Sequence, residues 1–181
     1  YTPYCKTCQA CQSVRLPVDQ FKPSRSQRRL LNKAKRHGLT YQLTANCLDK
    51  DYFALYAQYI NFKHADGSMF PPTTEQLQSI LACSWMTVRC LELYQHNRLI
   101  AVSVVDETDD ALSAVYTFFA PDVSQFSPGT LAILYLSQLS ISLGKKWLYL
   151  GYQIEGCQKM AYKATFLPQQ RFIAGQWHSF G

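Results

Sequence analysis

Three β-prone stretches in a row, at residues 87–94, 99–105 and 111–119, are joined by turns too short for a crossover, so the middle of this chain must fold as an antiparallel meander. The first turn is the dipeptide His96-Asn97, and the second is the acidic run 106–110. The turn APDVSQFSPGT then leads into a strongly apolar helix at 131–143, followed by a strand at 146–151.

Elements with the expected periods flank this centre. Upstream, SVRLPVDQF reads as an extended piece broken by Pro17 and Pro23, and a basic helix at 26–36 is stopped by Gly38. A strand follows at 39–44. Residues 49–65 are periodic in Tyr52, Leu55, Tyr56, Tyr59, Ile60 and Lys63, as an amphipathic helix should be. The polar loop HADGSMFPPT separates that helix from another at 74–82. Downstream lie a short helix around 157–164 and a last strand near 171–177. Three antiparallel strands, helix, strand, helix, strand is the order of an N-acetyltransferase-like (GNAT) core. The expected fold is therefore α+β, an antiparallel-rich central sheet flanked by helices, with residues 1–38 as a Cys-rich, basic N-terminal segment and 39–181 as the GNAT-like domain.

At 181 residues and 48% hydrophobic content the chain can bury one sizeable core. It has no run of about 18 apolar residues and no leader-like start, so the expected compartment is the cytoplasm. Seven cysteines at mostly irregular spacing fit reduced thiols better than a disulfide framework. The charge is lopsided: residues 1–37 hold nine Lys or Arg against the single Asp19, whereas the remainder holds nine against eleven Asp or Glu. An unopposed basic segment points to a polyanion. No apolar stripe accompanies the charge, which favours nucleic acid over a membrane surface.

Several constellations carry chemistry. Cys5, Cys8 and Cys11 are spaced as C-x-x-C-x-x-C, which suits zinc or an iron–sulfur cluster, with a further ligand needed from elsewhere; simple packing of the thiols is the alternative. The run SRSQRR, with Lys33, Lys35 and Arg36 behind it, offers guanidinium forks to phosphate, although a basic helix is often only a solvated face. Ser127-Pro128-Gly129-Thr130 precedes the apolar helix, where free amides can hold a phosphate or an acyl carbonyl; a plain helix start is the alternative. Residues 148–168, LYLGYQIEGCQKMAYKATFLP, place Tyr149, Tyr152, Tyr162, Lys159 and Lys163 where a purely packed segment would carry aliphatics. No Ser-His-Asp, HExxH or Walker pattern is present.

Together YTPYCKTCQACQSVRLPVDQFKPSRSQRR, HADGSMF, AVYTFFAPD with SPGTLAIL, and YLGYQIEGCQKMAYKATFLP resemble the aminoacyl-tRNA–protein transferases of the arginyltransferase family over nearly the whole chain. The resemblance is greatest to the compact bacterial branch, the aspartate/glutamate leucyltransferases. In that branch a further N-terminal region with another cysteine precedes the position of Tyr1. The chain departs from the branch at Ala120, where Asp is usual, at Pro128, where Leu is usual, and at Gln153, where Trp is frequent.

The resemblance implies transfer of an amino acid from its charged tRNA to the α-amino group of proteins beginning with Asp or Glu, which creates an N-degron. It also implies a GNAT-like fold in which the 3′ end of tRNA takes the place of CoA. On this reading Gly129 and Thr130 present amides to the acceptor end, and Tyr116, Tyr152 and Tyr162 line the cleft. Arg28, Arg29, Lys159 and Lys163 are the basic groups that could meet the acidic side chain, and Arg15, Lys22, Arg25, Lys33 and Arg36 would hold the tRNA backbone. Transfer itself requires no cofactor. A leucine pocket should be apolar and an arginine pocket acidic; Glu155 is the only acidic residue after Asp122, which favours leucine, with arginine as the alternative. An acyl-CoA N-acetyltransferase would share the fold, but SPGTLA is a poor version of its Gly-rich phosphate loop. A non-catalytic metal or nucleic-acid module would leave the tyrosine-lysine segment idle.

Overall fold

A computed structural model describes residues 10–45, 47–158 and 160–181. The strands are β1 (Gln12–Pro17), β2 (Leu39–Thr44), β3 (Thr87–Gln95), β4 (Arg98–Glu107), β5 (Ala111–Phe119), β6 (Trp147–Gln153), β7 (Gln169–Ile173) and β8 (Gln176–Phe180). They form one sheet in the order β2-β3-β4-β5-β6-β1-β7-β8, and among the described residues β5 and β6 are its only parallel neighbours. The helices are α1 (Arg25–Arg36), α2 (Phe53–Lys63), α3 (Thr74–Leu81) and α4 (Pro128–Ser142). This is the mixed, antiparallel-rich architecture expected from the sequence.

Residues Ile100–Val105 of β4 are buried without alternation, so both faces of the sheet centre are covered. On one face α2 sets Tyr52 and Tyr56 edge-on to Phe118 of β5. Helix α4 is apolar nearly all round and buried for most of its length, with Tyr135 stacked on Tyr41 of β2 at 4.2 Å. Beneath α2 the buried Glu92 of β3 accepts hydrogen bonds from Tyr52, Gln42 and Tyr94. Burial pushes its pKa up, but those three donors favour the charged form and leave it below the usual carboxylate range. The same network raises the Tyr52 pKa, through burial first and its bond to Glu92 second.

Both polar-capped helices start as local chemistry dictates: Ser24 caps α1 and Thr73 caps α3, each in a reciprocal box with the Gln three residues on. Gln27, the box partner in α1, is buried and donates to the Thr165 carbonyl 138 residues away. A cap residue therefore also ties α1 to the segment that forms the site.

Three elements differ from the sequence reading. The extended piece ahead of α1 is a full interior strand, β1, with Val14 and Leu16 completely buried. On its other face the Arg15 guanidinium lies between Trp147 and Trp177, 3.7 and 3.9 Å from their ring centres, and donates to Gln170 and Tyr149. The helix expected at 157–164 is only a 3-10 turn, Ala161–Thr165. The single strand expected near 171–177 is the hairpin β7–β8, because Ala174 and Gly175 both take positive φ and close a two-residue turn between Ile173 and Gln176.

Candidate active site

The parallel strands β5 and β6 pair only across Ala111–Ser113 and Trp147–Tyr149, although β5 runs on to Phe119 and β6 to Gln153. Beyond Ser113 they part. A bulge at Val115 marks the point of divergence, since Val105 pairs with Ala114 but Val104 with Tyr116. The fork leaves backbone groups and side chains of both strands facing a cleft at the centre of the sheet.

Lys163 fills the base of that fork. Its ammonium donates to the Tyr152 carbonyl at 2.8 Å. A Cβ on Gly151 would lie 3.5 Å from Lys163 Nζ and 3.8 Å from the Ala114 carbonyl oxygen, which puts the ammonium between the two strands. Gly151 has φ +74°, a conformation glycine takes without strain, and the strand bends there towards the lysine. Burial lowers the Lys163 pKa to about 8, partly offset by the nearby Cys157 thiol.

The walls are phenolic. Tyr162 precedes Lys163, and its hydroxyl would lie 3.9 Å from a Cβ on Gly129 in the first turn of α4. Tyr116 donates to the Met69 sulfur at 3.4 Å, which brings the HADGSMF loop to the cleft. Tyr59 of α2 packs edge-on to Tyr116, at 6.3 Å between ring centres, and against Phe119 and His64. Burial, with a contribution from Tyr162, pushes the Tyr59 pKa up to about 12; burial also raises Tyr116 and Tyr162. These phenols stay protonated at neutral pH, so they are hydrogen-bond donors and not bases. Tyr59 and Met69 were not singled out in the sequence as site residues. Their periodic and loop positions looked structural, and only the fold brings them to the fork.

The start of α4 is less generous than the SPGT run suggested. Ser127 sits at φ 47° and makes no side-chain cap, while the Thr130 amide is bonded to the Ser127 carbonyl. Thr130 therefore has no free amide to offer. The Gly129 N–H lies in the helix's first turn, where no intrahelical acceptor is available, and a Cβ on this residue would be directed at the Tyr162 hydroxyl.

The other basic residues sort by exposure. Arg28 and Arg29, expected as a buried reader of an acidic side chain, are both exposed on α1 with Arg25, Lys35 and Arg36, and Arg28 is turned back to the Pro23 carbonyl. Lys22 is exposed beside them. Lys33 donates to the Gln125 carbonyl at the turn before α4. Arg15 is held between two indoles on the far part of the sheet instead of joining this surface. Lys159, Cys5 and Cys8 lie outside the described residues, and Cys11 is a half-buried thiol.

Comparison with known proteins places this geometry. The family model described as arginine-tRNA-protein transferase, C terminus, matches residues 51–173, and the one described as its N terminus matches residues 1–29. A protein of Pseudoalteromonas atlantica named aspartate/glutamate leucyltransferase is 44% identical over 178 residues, 98% of this chain and 75% of that protein. Among solved structures, L-PGS from Bacillus licheniformis superposes with a TM-score of 0.66 at 11% identity, over 94% of this chain and 58% of that one. A GCN5-related glucosamine N-acetyltransferase region of a fungal multi-domain protein superposes with a TM-score of 0.56 at 10% identity, over 93% of this chain and 20% of that one. At such identities the structures speak for the fold, which is GNAT-like.

Proposed function

Because this chain belongs to the arginine-tRNA-protein transferase family, we propose that the fork between β5 and β6 is where an amino acid, leucine in the first instance, passes from its tRNA to the α-amino group of a protein beginning with Asp or Glu. The observation that carries this reading is a half-buried lysine with a pKa lowered to about 8, set at the parting of two strands and walled by protonated phenols.

In the reaction the free α-amine attacks the ester carbonyl of the aminoacyl-tRNA. A C–N bond forms, the C–O bond to the ribose breaks, and the proton lost by the amine is balanced by one delivered to the ribose oxygen. Aminolysis of an ester is downhill, so alignment of amine and ester supplies much of the rate. The Gly129 N–H and the Tyr162 hydroxyl supply donors to the carbonyl oxygen as charge develops on it, and the Tyr116 hydroxyl joins them by exchanging its weak bond to the Met69 sulfur. Lys163, mostly protonated at neutral pH, donates to the leaving ribose oxygen and can recover a proton from the amine. The exposed Arg25, Arg28, Arg29, Lys35 and Arg36 of α1 give the tRNA backbone a cationic track on a rigid helix.

Leucine is preferred over arginine because the described walls of the fork, Tyr59, Met69, Tyr116 and Tyr162, are aromatic or aliphatic and supply no carboxylate for a guanidinium. The deciding assay offers the full chain radiolabelled leucyl-tRNA or arginyl-tRNA and peptides that differ only in Asp, Glu or Ala at the first position. Leucine on Asp and Glu but not Ala is the expected result. Arginine in place of leucine would move the protein to the other branch, and no transfer from either tRNA would remove the reading.

A further inference from the structure

On the other side of the 3-10 turn from the fork lies a second recess. It is a cavity of about 380 Å³ at the end of β6, lined among others by Gln153, Ile154, Cys157, Ala161, Ala164 and Arg171. Ala161 and Ala164 are one 3-10 repeat apart and face the cavity, whereas Tyr162 and Lys163 of the same turn approach Gly129 and Gly151. The two recesses thus share one wall. Cys157 links them, since its thiol lines the cavity and also acts electrostatically on Lys163.

Two polar groups stand out in this cavity. Gln153 is only 6% exposed, and its side-chain oxygen is buried without a hydrogen-bond partner among the described residues. Its neighbour across the β1–β6 ladder, Gln12, has a buried side-chain oxygen that also lacks a hydrogen-bond partner among the described residues. Buried carbonyls without donors are rare and costly, and a pair of them at one strand end is the signature of a site whose donor comes from outside. The second group is Arg171. Its Nε donates to Gln169 and its guanidinium lies 4.4 Å over the Phe180 ring, which fixes its orientation. No carboxylate pairs with it among the described residues, and Glu155, the one acidic side chain on the cavity, is exposed at the rim.

A ligand that completes this recess must bring an N–H donor for Gln153 and an anion for Arg171, a few bonds apart, on a small body that fits between two alanines and Ile154. An N-terminal Asp or Glu residue has that constitution: a peptide N–H with a side-chain carboxylate a few bonds away. Resting on the transferase reading above, we propose that this cavity receives the acidic side chain of the acceptor protein's first residue, with Arg171 reading its carboxylate and the Gln153 oxygen accepting from the peptide N–H that follows. The α-amine is then left free to reach past the 3-10 turn into the fork where the ester is held. Asparagine at the same position would bring no charge to the guanidinium, and lysine would be repelled by it, so selectivity follows from one fixed arginine.

The test has two arms, one of which needs no tRNA. Fluorescent peptides beginning with Asp, Asn or Lys are titrated with the full chain and followed by anisotropy, and leucine transfer from charged tRNA to the same peptides is measured in parallel. Arg171→Gln is expected to lower the Asp-over-Asn preference at least about tenfold in both arms, and Arg171→Glu to shift preference towards Lys. Gln153→Leu is expected to raise KM for the peptide while leaving KM for leucyl-tRNA unchanged; circular dichroism confirms that each variant is folded. Wild-type preference ratios in both folded Arg171 variants would overturn the proposal while leaving the transferase reading intact. Arg171-dependent binding of Asp peptides without any leucine transfer would support the cavity and remove the transferase reading instead.

Discussion

Lys163 reaches back across the end of β6 to bond the carbonyl of Tyr152, so the charged end of one residue is fixed by the backbone of another eleven positions earlier. That bond pins the 3-10 turn to the strand at the place where β6 leaves β5. It also helps a half-buried lysine to stay charged, because one of its three protons is satisfied by a fixed dipole.

The first prediction concerns the pH profile of transfer. The attacking α-amine must be neutral, which gives a rising limb near its ordinary pKa of about 7.7–8.0. The Lys163 ammonium must be charged, which gives a falling limb near pH 8. The rate should form a narrow bell, and Lys163→Met should lose the falling limb and drop about a hundredfold in kcat. A rate that climbs steadily to pH 10 in the wild type would argue that the neutral amine of Lys163 is the active form.

The same lysine makes stability depend on pH. Its unfolded pKa is about 10.4 and its folded value is about 8, so between those values the unfolded chain binds more protons. The burial penalty is fully present below pH 8 and fades as pH rises towards 10.4. Urea denaturation at pH 7 and pH 10 should show the wild type gaining stability relative to Lys163→Met across that window.

At Gly151 the prediction is steric. An alanine there would hold φ +74° at a cost of about 1 kcal/mol or more, with its methyl group in contact with Lys163 Nζ at 3.5 Å. Gly151→Ala should lower Tm by several degrees and reduce kcat more than KM for tRNA. Gly129 has room for a methyl group, since its Cβ would make only an ordinary 3.9 Å contact with the Tyr162 hydroxyl. Gly129→Ala should therefore fold normally and keep most activity, whereas Gly129→Leu should fold but displace Tyr162 and abolish transfer.

On α1, replacing Arg25 and Arg29 by Ala should weaken tRNA binding without changing Tm, because both side chains are exposed. The slope of log affinity against log salt should fall by roughly 0.7–0.9 for each phosphate that is no longer neutralised. An unchanged slope would place the tRNA on another surface.

Under the sheet, Tyr52→Phe removes a buried donor to Glu92 and leaves that carboxylate with two of its three side-chain partners. A loss of about 1–3 kcal/mol is expected by chemical denaturation, with transfer kinetics unaffected at temperatures where the variant is folded.

Much of this architecture is written in the chain because local and global preferences agree there. The meander β3–β5 follows from three β-prone runs joined by short turns, the first being His96-Asn97, where both residues take the positive φ that a tight hairpin needs. The capped starts of α1 and α3 are equally local. What was not legible depends on partners far away in sequence. The piece SVRLP reads only as an extended segment ending at Pro17, and it is an interior strand because β6 and β7 supply neighbours on both sides. Ala174 hides a hairpin, since alanine seldom adopts the left-handed conformation that closes it.

The site divides in the same way. Tyr116, Tyr162, Lys163 and Gly129 meet at the fork as a clustered Tyr-Lys segment and a helix start would suggest. Exposure on α1 separates Arg28 and Arg29 from that group, because a basic helix with two buried residues, Gln27 and Ala34, must turn most of its charge to water. Tyr59 and Arg171 emerge only from the fold: one reads as a core position of a helix, the other as an isolated cation in a polar stretch.

The place of β1 has a consequence for how the protein is made. Its Arg15 bonds a residue 155 positions later, so β1 waits for β7 before its ladder on that side can form. Until then Val14, Leu16 and the arginine's two indoles have no common surface. During synthesis, β2 to β5 can assemble as one nascent unit, and the half of the sheet that holds the acceptor cavity can close only once β6 and β7 have been made, which makes catalytic competence a late event in the folding of each chain.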